Sequence, residues 1–296
     1  MVTFDYRIAD LTLRSDVDIV ALGLRGFKPF QVDGSDCNPD CTLSLIDGDA
    51  DVVVLNELHS SFMGETQTHG ALYKTNCGYL YSMQSAEADE IPYKFYVDNT
   101  TRHISMRVDA SRCDVSMLRF GLWIAFGIVL TLNNAVAVHS SSIECGGRGV
   151  LFLGESGTGK STHTRLWREN IEGARLLNDD SPIVRVVNDD IRVYGSPWSG
   201  KTPCYMAENH PVAALCRLSQ APENRIKRLP TIAAIAALLP STPPQFAHDA
   251  ELQDAILATL SIIIIRVPIY HLECLPNAAA AELSHKTILG DAEGVR

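Results

Sequence analysis

The stretch Val150-Leu-Phe-Leu153 followed by Gly154-Glu-Ser-Gly-Thr-Gly159-Lys160-Ser161-Thr162 constrains the fold more than any other. Four apolar residues read as a buried strand, and the run from Lys160 to Asn170, free of Pro and Gly, reads as a helix. A strand that passes through a glycine loop into a helix N-terminus is a local α/β unit with one chemical use. Glycine lets successive N–H groups turn inward toward an anion, and the helix end adds partial positive charge. The sequence therefore predicts a nucleotide-binding loop made of Gly154, Glu155, Ser156, Gly157, Thr158, Gly159, Lys160, Ser161 and Thr162. Lys160 is expected to reach the β- and γ-phosphates of ATP, and the Ser161 hydroxyl to ligate Mg²⁺.

Two further blocks follow. Leu176-Leu-Asn-Asp179-Asp180 ends the strand expected over 174–179, immediately after the loop's helix. Both carboxylates can turn toward the phosphates at a strand end, one to hold Mg²⁺ and one to take a proton from an acceptor hydroxyl. Gly195-Ser-Pro-Trp-Ser-Gly-Lys201 reads as a loop carrying a cation, so Lys201 is a candidate for neutralising the transferred phosphoryl. Arg217 and Arg225 are basic positions in an acidic chain and candidates for binding the acceptor.

Residues 1–113 look strand-rich, with runs such as Asp51–Leu55, Tyr93–Val97 and His103–Val108 between turn residues. A long apolar helix over 114–133 then opens a second domain, 114–296. Strands are expected at Ala135–Glu144 and Gly149–Leu153, joined through Gly146 and Gly147. Further strands are expected at Ile183–Val187 and Ile191–Tyr194, and helices at Thr231–Leu239 and Asp249–Leu260. The isoleucine run 262–265 suits a core strand or a buried helix end; taken as a strand, Ile262–Val267 completes the expected set with Ile269–Leu272.

The net charge of −10 argues against nucleic acid as a partner. Met117–Leu132 is interrupted by Arg119 and falls short of the roughly 20 residues of a membrane span. No basic-then-apolar leader begins the chain, and Cys37 and Cys41 lack a second pair to complete a zinc set. A cytoplasmic protein with free thiols is expected, without a membrane partner, and a homo-oligomer is compatible with this.

The order of blocks (His139-Ser140 at a strand end, the glycine hairpin, GVLFLGESGTGKST, then LLNDD) resembles the HPr kinase/phosphorylase and phosphoenolpyruvate carboxykinase-like superfamily over roughly residues 135–275. The resemblance implies an α/β (α+β) protein: a β-rich N-terminal domain and a P-loop kinase-like mixed-sheet domain. It implies an ATP-dependent kinase acting on a hydroxyl acceptor, such as serine in a small molecule, peptide or protein. By it, Lys160 contacts phosphates, Ser161 ligates Mg²⁺, Asp179 is the general base and Asp180 helps hold the metal. His139 matches a family histidine near the nucleotide. A carboxykinase-type enzyme and a non-catalytic nucleotide-binding regulatory module stay open as alternatives.

Overall fold

The computed structural model describes residues 2–34, 38–63, 67–85, 91–109, 113–200 and 202–290. Two large mixed sheets dominate it, so the chain is a mixed α/β protein with more strand than helix. It divides into two compact units. The first runs up to Asn133 and regains Pro244–Gln253; the second is Asn134–Pro243 and the chain from Asp254 onward.

In the first unit the described strands are β1 (Phe4–Ile8), β2 (Leu11–Ser15), β3 (Gln31–Val32), β4 (Cys41–Leu45), β5 (Val54–Met63), β6 (Thr68–Thr75), β7 (Gly78–Ser85), β8 (Tyr93–Asp98) and β9 (His103–Arg107). They lie in the order β3-β1-β2-β4-β9-β8-β7-β6-β5. The strand expected at Asp51–Leu55 is the start of the longer β5. Cys37 lies outside the described residues. Cys41 is buried in β4, where loss of hydration pushes its thiol up to about 12, far from a reactive thiolate.

The apolar helix expected over 114–133 forms as α1 (Val115–Thr131), with Asp114 capping the amides of Ser116 and Met117 at 2.7 and 3.0 Å. It packs on β7 and β8 and belongs to the first unit, whereas the expected boundary at 113/114 assigned it to the second. Its contact with β8 depends on Gly121. A Cβ built there would sit 1.9 Å from a ring carbon of Phe95, itself fully buried. Gly121→Ala is therefore expected to destabilise this unit by about 1–3 kcal/mol through overpacking. A lowered thermal midpoint by differential scanning calorimetry checks this, and an unchanged one would mean that the helix shifts freely.

The second unit contains β10 (Ala135–Ala137), β11 (Ser140–Cys145), β12 (Arg148–Leu153), α2 (Lys160–Asn170), β13 (Arg175–Asp180), β14 (Ile183–Val187), β15 (Asp190–Tyr194), β16 (Asn209–Gln220), β17 (Arg225–Arg228), α3 (Thr231–Leu238), β18 (Ile269–Cys274) and α5 (Ala278–Leu289). Strand order is β10-β14-β15-β16-β12-β11-β13, with β18 joined to β16 and β17 to β18. β12, β16 and β18 run parallel, and the rest are antiparallel. Phe152, Trp167, Leu218, Leu272 and Ala281 form a core beneath α2 and α5.

Two expectations are corrected here. The single strand Ala135–Glu144 is two strands, because Val138 and His139 leave the ladder. Their amides bond instead to Pro182 O at 2.9 Å and Ser241 O at 2.7 Å. The strand expected at Ile262–Val267 is the end of helix α4 (Ala250–Arg266). Its buried positions Leu252, Ile256, Leu260 and Ile263 step by three or four residues, and Ile265 is 79% exposed. That is helical periodicity, and it outweighs β-branching.

Candidate functional site

The loop between β12 and α2 has the backbone its glycines predict. Gly154, Gly157 and Gly159 take φ of 151°, 84° and 104°. A side chain at Gly154 would also collide with Thr158, its Cβ only 2.5 Å from the Thr158 hydroxyl. The loop opens directly into α2, with Gly159 as N-cap and Lys160 as the first helical residue. The side chain of Lys160 folds back over the loop. Its ammonium donates to Gly154 O at 2.6 Å and Glu155 O at 3.2 Å, and it lies 3.0 Å from His139 Nε2. Burial pulls this ammonium below its ordinary pKa, an effect that Asp180 and then Asp179 oppose.

A lysine ammonium can only donate, so His139 Nε2 accepts and the ring proton sits on Nδ1. That atom faces Asp180 Oδ1 at 3.2 Å. A relay Lys160–His139–Asp180 therefore crosses from the loop to the end of β13. Asp179 points elsewhere: the Ser161 hydroxyl donates to its Oδ1 at 3.0 Å. Asp179 is buried and Asp180 half open. The two adjacent carboxylates thus serve different neighbours, as alternation at a strand end requires.

Asn178 holds this pair in place. It is fully buried; its amide donates to Trp198 O at 3.0 Å and Cys204 O at 3.3 Å, and its Oδ1 accepts from Ser181 N at 2.9 Å. Asp180, between them, is held at φ of 129°, a costly conformation for a residue with a Cβ. Ser199 bridges to Asp180, and Gly200 N donates to Asp179 O at 2.5 Å. Ser196, Trp198 and Ser199 are buried, so this segment is a wall behind the acids rather than a solvated turn. Cys204 shares the wall; burial pushes its thiol up to about 11, which makes it inert.

On the other flank a cleft of about 610 Å³ adjoins the loop. Gly157, Thr158, Gly159, Thr162, His163 and Leu166 face Leu218, Gln220, Ala221 and the segment Cys274, Leu275 and Pro276 across it. Its lining is mostly apolar. Burial depresses the pKa of His163 to about 4, so its ring is neutral.

No family model and no curated protein matches this chain.

Of the residues singled out from sequence, the structure brings His139, Lys160, Ser161, Asp179 and Asp180 together at the mouth of the loop. Arg217, at the loop end of β16, adjoins it through Glu155, at 3.6 Å. Arg225 is not part of the cluster: it lies exposed on the edge strand β17, two strands beyond β12's neighbour β16. Lys201 lies outside the described residues. Asn178 and His163 were missed. Asn178 is held chiefly by Trp198 and Cys204, 20 and 26 residues on, and His163 is set by Trp167 and Ser284, 4 and 121 residues on. The sequence hint for Asn178 was its place between two leucines and the acidic pair of β13. Among the described residues no three His, Cys, Asp or Glu side chains converge to hold a metal unaided, and no helix is long and apolar enough to cross a membrane.

Proposed function

We propose that this chain is an ATP-dependent phosphotransferase that moves the γ-phosphoryl of Mg·ATP to a hydroxyl acceptor. Its second unit would be a mixed-sheet domain of the HPr kinase/phosphoenolpyruvate carboxykinase-like kind. One observation carries the reading: Lys160, Ser161, His139 and two carboxylates converge where a glycine loop meets a helix N-terminus. A loop with inward amides binds polyphosphate, but only the added carboxylates give it something to do with an acceptor.

Lys160 supplies positive charge to the β- and γ-phosphates, exchanging its bonds to Gly154 and Glu155 carbonyls for phosphate oxygens. Ser161 Oγ and the Asp179 carboxylate, 3.0 Å apart, are hard oxygen donors that fit Mg²⁺, which keeps few protein ligands and several waters. When bound, the ion neutralises charge on the β- and γ-oxygens. Asp180 is the better-placed base. It is half open to solvent, it has the larger influence on Lys160, and His139 Nδ1 orients it. This exchanges the two roles that the superfamily resemblance implies for Asp179 and Asp180.

The acceptor is a hydroxyl such as that of serine, free or in a peptide or protein. Calorimetric titration with Mg·ATP, followed by measurement of ADP formation with water, L-serine or a serine-containing peptide, tests the proposal. Saturable binding, with ADP formation raised by a hydroxyl acceptor, is expected. A chain that binds no Mg·ATP overturns it.

A further inference from the structure

The cleft beside the loop holds two polar atoms that the phosphate site does not use. One belongs to His163, in the first turn of α2 and 3% exposed. Its ring lies edge-on to Phe152, with centroids 4.7 Å apart. Trp167 Nε1 sits 3.2 Å from His163 Nε2, and Ser284 Oγ lies 3.1 Å from the same nitrogen. The indole N–H points between Ser284 Oγ at 2.9 Å and His163 Nε2 at 3.2 Å; a second N–H on Nε2 would oppose that approach, which favours the neutral tautomer with its proton on Nδ1. Among the described residues that Nδ1 has no hydrogen-bond partner, and it is not one of the atoms sealed from solvent. His163 is one of the residues that line the cleft.

The second atom belongs to Gln220, on the strand side of the cleft. Its Nε2 donates to Gly157 O at 3.3 Å, which leaves Oε1 as an open acceptor. Between the two polar atoms the walls are Leu166, Leu218, Ala221 and Pro276. A slot of about 610 Å³ with apolar faces, one donor and one acceptor matches a flat heterocycle with its sugar. It shares Gly157, Thr158, Gly159 and Thr162 with the loop, so one ligand can span both.

We propose that His163 reads the nucleobase of the bound nucleotide. Its Nδ1–H donates to a ring nitrogen or carbonyl oxygen of the base, while Gln220 Oε1 accepts from an N–H of the base. Trp167 is the positioning residue, because its indole favours the tautomer that makes Nδ1 a donor. This rests on the reading that the loop holds the triphosphate.

The test compares Mg·ATP with Mg·tripolyphosphate, which has the phosphates but no base, by calorimetry on the full chain. Wild type should bind Mg·ATP more tightly. His163→Phe should weaken Mg·ATP by about tenfold, the worth of one hydrogen bond to a desolvated group, and leave tripolyphosphate unchanged. His163→Gln, which restores an N–H donor, should recover most of the loss. Phenylalanine fits the aromatic surroundings, and Trp167 Nε1 keeps Ser284 Oγ at 2.9 Å, so the helix retains its buried bond. Unchanged ATP affinity in His163→Phe, or equal weakening of both ligands, overturns the inference. Should wild type bind neither ligand, the triphosphate reading of the loop fails and the inference falls with it.

Discussion

Replacing Lys160 by alanine is expected to abolish phosphoryl transfer and to weaken Mg·ATP binding by about 1–3 kcal/mol, the range for lost charge-assisted hydrogen bonds. The structure explains why the effect on transfer should be the larger. Lys160 is the cation set directly between the loop carbonyls and the relay through His139 to Asp180. Without it, the proposed γ-phosphate position beside Asp179 and Asp180 would lose the ammonium that bonds both the loop carbonyls and His139. That loss weighs more as charge shifts during transfer, whereas ground-state binding keeps the loop amides and the helix N-terminus. Lys160→Arg should not restore activity, because a planar guanidinium cannot occupy the position where a compact ammonium bonds Gly154 O and Glu155 O. Titration calorimetry with Mg·ATP, beside a single-turnover assay of ADP formation, measures both effects. Equal affinity in the alanine variant would remove Lys160 from the phosphate site.

Much of this site is legible in the sequence because its determinants are local. Glycine at 154, 157 and 159 sets the loop's positive φ values, and Lys160 and Ser161 follow at fixed spacing into a helix. The hairpin at Gly146 and Gly147 is local too, with φ of 59° and 75° at its two central residues. What escapes the sequence is set by distant partners. Asn178 acquires its meaning from Trp198 and Cys204, and His163 from Ser284, 121 residues away, together with Trp167 one helical turn on. The isoleucine run 262–265 is ambiguous by itself because four β-branched residues fit a short buried strand as well as a helix end; the stripe from Leu252 to Ile263 that marks it as helix becomes visible only over several turns. The break at Val138 is invisible locally, since the carbonyls that capture the Val138 and His139 amides come from Pro182 and Ser241.

The division of labour between the two carboxylates gives the sharpest remaining prediction. If Asp180 is the base, Asp180→Asn should lower the transfer rate by about 10²–10⁴ while leaving Mg·ATP affinity nearly intact. Asparagine has the shape of the aspartate that already holds this backbone at φ of 129°, and it can still take a bond from His139 Nδ1. Asp179→Asn should behave differently. Its carboxylate accepts the Ser161 hydroxyl at 3.0 Å from a buried position, and losing its charge removes half of the proposed metal-binding pair. The Mg²⁺ concentration needed for half-maximal rate should therefore rise, and part of the activity should return at high Mg²⁺. Rate measurements over a Mg²⁺ titration, with both variants checked for an unchanged thermal midpoint, separate the roles. A large rate loss in Asp179→Asn that Mg²⁺ does not recover, beside a mild effect in Asp180→Asn, would restore Asp179 as the base. Loss of folding in both would instead make the Asn178–Asp179–Asp180 corner a structural hinge held by the 196–200 wall.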